Sequence, residues 1–105
     1  MKYIFNSDFE EHGFKVDVIE HCEDEETLCK IRKNGFFFKL YFDGEHKYVR
    51  LFDKFNDAIY ADEVTDFKDL LERFAHEFKH TYIAYKQKSI LAKIVYDKLM
   101  KEIEK

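Results

Sequence analysis

Two histidines and a glutamate give the sharpest chemical signal in the chain: His76-Glu77-Phe78-Lys79-His80 reads HExxH. Imidazoles at i and i+4 share one face of a helix and can reach one zinc ion. The Glu beside the first can then take a proton from water bound to that ion. His76 and His80 are therefore candidate zinc ligands, and Glu77 is a candidate catalytic base. A solvated stripe competes with that chemistry. At about 100° per residue, Asp69, Arg73, His76 and His80 align opposite the apolar side of their segment, and such a face needs no metal. His21, Cys22 and Cys29 make a weaker ligand set, because the chain has no CxxC pair. Gly13, Gly35 and Gly44 each fall in a turn, which leaves no glycine loop to cradle a phosphate.

The run Phe74-Ala75-His76-Glu77-Phe78-Lys79-His80 resembles the active-site helix of zincin metalloproteases, with apolar residues in the flanking positions. That resemblance implies a small zinc metallohydrolase, with His76 and His80 as ligands and Glu77 as base. Lys79 departs from it, standing where an uncharged residue is usual. The downstream carboxylates left to serve as a third ligand are Asp97, Glu102 and Glu104.

The motif sits in residues 66–85, the one long stretch of helical period. Phe67, Leu70, Leu71, Phe74, Phe78, Tyr82 and Tyr85 recur at three- and four-residue steps. Asp66 is placed to cap the helix, and Asp69 lies at the positive end of its dipole. Gln87-Lys88-Ser89 is the expected break before a second helix over 90–104, although no Gly or Pro enforces it and one long helix stays open. The second segment is apolar on two sides: Ile90, Leu91 and Ile94 on one, Ala92, Tyr96, Leu99 and Ile103 on the other. Such width suggests either a central packing position or a dimer seam, with the latter stripe the candidate seam of a homodimer.

Upstream, the pattern is β. Residues 2–5 read as a short strand ended by Asn6-Ser7-Asp8. His12-Gly13 reads as a turn, 14–18 as an alternating strand, and the acidic run 20–26 as a solvated loop. Asn34-Gly35 and Asp43-Gly44 each signal a two-residue hairpin. The first sets Ile31 against Phe38 and Cys29 against Leu40. The second sets Phe38 against Val49 and Phe36 against Leu51. Together they gather Cys29, Ile31, Phe36, Phe38, Leu40, Val49 and Leu51 on one apolar face. Residues 58–61 read as an edge strand or a loop packing Phe55 and Ile59.

The opposite face carries Leu28 and the candidate partner-binding residues Lys30, Arg32, Phe37, Lys39, Tyr41, His46, Tyr48 and Arg50. Aromatic rings among cations suit protein hot spots, and equally the stacking platforms of single-stranded nucleic acid binders. Charge weighs against the second. The net charge is −4, divided as −6 over residues 1–65 and +2 over 66–105. Nucleic-acid-binding domains usually run basic.

The expected fold class is α+β in one domain, 1–105, mainly β over 1–64 and mainly α over 65–105. An antiparallel meander of four to five strands precedes one long or two C-terminal helices packed on its apolar face. Two cysteines, no secretory leader pattern and no long apolar run point to a cytoplasmic protein without a membrane span. The functional expectation is a small non-enzymatic binding protein with a macromolecular partner, a protein first and nucleic acid second, and no cofactor. Its size and composition resemble those of phage or mobile-element inhibitors of host machinery, anti-defence proteins among them, a similarity of type without a matched motif.

Overall fold

The structure is a computed structural model that describes residues 1–23, 25–51, 57–84 and 89–105. The chain divides into two compact units, Met1–Thr65 and Asp66–Lys105. The first is a five-stranded antiparallel meander and the second holds two helices, an α+β arrangement.

The β unit opens on a helix. Residues 2–5 form no strand; Ile4 N–H donates to His46 O at 2.9 Å, and helix α1 follows at Asn6–Glu11. Asp8 decides this by reaching back to accept the Phe5 N–H at 2.7 Å, which satisfies one of the free donors of a helix start. Six residues are too few to show a helical period. Gly13 turns the chain with φ +84°, a conformation that favours glycine.

Strands β1 (Lys15–His21), β2 (Thr27–Lys33), β3 (Phe36–Phe42), β4 (Tyr48–Leu51) and β5 (Ile59–Tyr60) follow in chain order across the sheet. Asn34-Gly35 is the expected tight turn, with φ of 47° and 82° at its two residues, and Ile31 faces Phe38 and Cys29 faces Leu40. The second hairpin differs. Phe42 pairs with Val49 and Leu40 with Leu51, so the connection runs from Asp43 to Lys47. Asp43 builds the longer turn, since its Oδ1 accepts the N–H groups of Lys47 (2.6 Å) and Tyr48 (3.3 Å). His46, not Gly44, takes the positive φ, at 56°. The shift from the expected register is an even number of residues, so every side chain keeps its face.

On β2, β3 and β4 the apolar side chains of that face are buried: Cys29, Ile31, Phe36, Phe38, Leu40, Phe42, Val49 and Leu51. Phe9 of α1 meets Phe14 and Phe42 edge-on at 6.0 and 6.1 Å, and Phe14 meets Phe36 and Phe38 in the same way. Each buried side chain of this size contributes about 1.5–3 kcal/mol. β5 pairs with β4 as an edge strand, and a 3-10 turn follows at Ala61–Glu63. Phe55 lies outside the described residues.

In the second unit α2 spans Phe67–Ala84 and α3 spans Ser89–Ile103. Asp66 caps α2, its Oδ1 accepting the Asp69 N–H at 2.8 Å. Phe67, Leu70, Leu71, Phe74 and Phe78 are buried along the expected stripe. The side chains of Tyr82 and Tyr85, and the break expected at Gln87-Lys88, lie outside what the structure describes. On α3, Tyr96 and Ile103 of the second stripe are half-buried. Ala92 and Leu99 are buried, whereas Ile90, Leu91 and Ile94 are exposed. Leu99, with no accessible surface, belongs to the core. No helix among the described residues is long and apolar enough to cross a membrane.

Candidate interaction surface on the outer sheet face

Register places the outer face in rows. Lys15, Arg32 and Phe37 form one; Asp17, Lys30 and Lys39 the next; Glu20, Leu28, Tyr41 and Arg50 a third; Tyr48 and Tyr60 pair beyond them. These rows separate into two halves of different chemistry.

The half nearer the acidic loop is closed on itself. Arg50 makes a forked pair with Glu26, its Nε at 3.0 Å from Oε2 and its Nη2 on Oε1. The Glu26 side chain is only 3% exposed and that of Arg50 11%. The run 20–26 is therefore not solvated throughout, because its last carboxylate turns inward onto a cation two strands away. Glu26 holds the Arg50 guanidinium above its usual pKa range, mainly through this hydrogen bond. The guanidinium also lies 5.5 Å from the centre of the Tyr41 ring. Tyr48 packs on Tyr60 with ring centres 5.6 Å apart, and burial raises its phenol pKa. Leu28 is buried among these groups. His46 stands apart from the face, in the β3–β4 connection, where its ring lies 5.3 Å from Phe42 and 5.6 Å from Phe5.

The half nearer the Asn34-Gly35 turn is open. Phe37 is 50% exposed, an unusual position for a phenylalanine. Lys30 Nζ lies over its ring at 4.2 Å, a cation–π contact. Arg32 pairs with Asp17 at 2.8 Å, and Lys39 is exposed beside them. Beyond Phe37 an open depression of about 430 Å³ is lined by Lys15, Arg32, Lys33 and Asn34, with no carboxylate in its wall. Lys33 is held there by donating to His12 O at 2.7 Å.

Lys30, Arg32, Phe37 and Lys39 are thus brought together with Lys15, while Lys33, opposite buried Phe36, turns its ammonium over the Phe14 ring at 5.1 Å. Tyr41, Tyr48 and Arg50 form a separate cluster, and His46 joins neither. Sequence reasoning missed Lys15, Asp17 and Glu26. The β1–β2 connection carries no turn signature, so nothing in the residue order set their register.

His76 and His80 are exposed on α2, and Glu77 beside them is half-buried. Asp69 and Arg73 of the same polar stripe pair at 3.8 Å. Among the described residues no group of three or more His, Cys, Asp and Glu side chains is placed to hold a metal ion. Cys29 lies in the buried face, where desolvation pushes its thiol pKa up, while Cys22 is half-buried and His21 Nδ1 meets Thr27 Oγ1 at 3.2 Å. No family model, curated protein or solved structure matches the chain.

Proposed function

We propose that this chain is a small non-enzymatic binding protein that docks an acidic protein surface on the open half of its outer sheet face. One observation carries the reading: a half-exposed phenylalanine, Phe37, stands among Lys15, Lys30, Arg32 and Lys39. Leaving a large ring in water forgoes part of its contribution to folding. An aromatic anchor ringed by cations is the composition of a binding hot spot. The cations select a negatively charged partner and speed its approach. The site needs no cofactor, zinc included. Size and composition support placing the protein among phage or mobile-element inhibitors whose target belongs to host machinery, and in the cytoplasm.

The test is a pull-down from host extract with wild type and with Phe37→Ala/Lys39→Glu, alongside melting curves. The variant is expected to melt like wild type and to lose the partner by about tenfold or more, as truncation of a hot-spot anchor does. A partner retained by the folded variant overturns the reading. A partner that disappears after nuclease treatment replaces protein with single-stranded nucleic acid.

A further inference from the structure

The sheet has two edges, β1 and β5, and β5 is only two residues long. β1 has seven residues, of which all but Val16 are exposed. On the core side Val16 is half-buried and Val18 exposed. Val16 and Val18 pair with Ile31 and Cys29, both buried, and yet Val18 is 53% exposed. A row of unpaired backbone groups beside such side chains is a template for another strand.

We propose that β1 pairs antiparallel with β1 of a second copy of this chain, about a two-fold axis through Val16. The sequence of the strand selects both occupant and register. An axis through Asp17 would set two like carboxylates directly opposite, and one through Lys15 two ammonium groups, both unfavourable. An axis through Val18 would draw in the irregularity between Val18 and Glu20, where the β1–β2 register slips. The axis through Val16 avoids all three. It sets Val16 against Val16 and Lys15 against Asp17 of the second copy, the Lys15–Asp17 pair occurring twice by symmetry, and it stops short of Phe14, whose N–H already donates to Phe9 O at 3.0 Å. Lys15 has no ion-pair partner among the described residues. Asp17 uses Oδ2 for Arg32, which leaves Oδ1 for the incoming ammonium. Alternate side chains keep their faces in this register, so the apolar faces of the two sheets become continuous. The outer faces then lie on the same side and present the Phe37 surface twice, which raises avidity for a repeated target.

Sedimentation of the full chain over a concentration series tests the pairing, with circular dichroism to verify folding. Wild type is expected to show a concentration-dependent dimer. Lys15→Asp and Asp17→Lys, each placing like charges opposite twice, are expected to weaken it on the order of tenfold. The double variant Lys15→Asp/Asp17→Lys restores dimers, and an equimolar mixture of the two single variants forms a heterodimer. A wild type that stays monomeric at the highest concentration overturns the proposal. So does a dimer indifferent to both single changes, which would move the contact to another surface such as exposed Ile90 and Leu91 of α3.

Discussion

Arg50 changes meaning once its partner is known. By strand alternation it is one more outward cation of a binding face, and its loss would be a surface substitution worth about 0.5 kcal/mol at most. Its forked pair with Glu26 is nearly closed to solvent. Removing one member of a buried pair strands the other charge, at a cost of about 3–5 kcal/mol. Arg50→Ala is therefore expected to lower the urea midpoint sharply, while Arg50→Met with Glu26→Leu recovers most of the loss. An unchanged midpoint for Arg50→Ala would mean that solvent reaches Glu26. Cys29 and Tyr48 give the residue scale a pH signature, because burial raises both pKa values. A raised acid contributes fully below its unfolded pKa, and the contribution is lost as pH climbs toward the folded value. Stability should thus begin to fall near about pH 9, where an unfolded thiol ionises and the buried one does not. Urea titrations at increasing pH should show the decline, shallower in Cys29→Ala.

At the scale of elements, Asn34-Gly35 and Asp43-Gly44 look equivalent as dipeptides and are not. Gly35 holds a φ of +82° with no other atom within 4 Å of an added Cβ, so its cost of substitution is backbone strain alone. Gly44 has no positive φ, and an added Cβ would meet Glu25 O at 3.3 Å. Gly35→Ala should cost about 1 kcal/mol, and Gly35→Asn less, because asparagine tolerates the left-handed region. At position 44 the contact decides instead, so Gly44→Asn should bring no recovery over Gly44→Ala. Thermal melts of the four variants distinguish the two turns. Equal responses would mean that the second hairpin closes over two residues after all.

For the whole molecule, α3 shows how burial assigns roles that periodicity leaves open. Leu99 is fully buried, while Leu91, one helix face away, is 72% exposed. Leu99→Ala should destabilise by about 2–5 kcal/mol. Leu91→Glu should stay within about 0.5 kcal/mol. Chemical denaturation of both variants checks the assignment, and the reverse order would exchange the two faces. Leu99→Glu consequently tests folding and says nothing about self-association.

The residue order alone determined what depends on near neighbours along the chain. The 3.6-residue period made α2, Asp66 capped it, Asn34-Gly35 set a tight turn, and strict alternation sent Ile31, Phe38 and Leu40 to one face and Lys30, Arg32, Phe37 and Lys39 to the other. Alternation even survived a wrong loop length, since a four-residue slip preserves parity. What only the tertiary structure decided are pairings between residues far apart in sequence, which no local period encodes. Glu26 finds Arg50 across 24 positions, Lys33 reaches back to His12, and β1 takes its register on β2 through a connection without a turn signal. Those long-range choices divide one outward face into a closed ion-pair cluster and an open surface around Phe37. The division follows from desolvation: a carboxylate and a guanidinium that leave water together must pair, whereas Phe37 and Lys39 stay exposed to water.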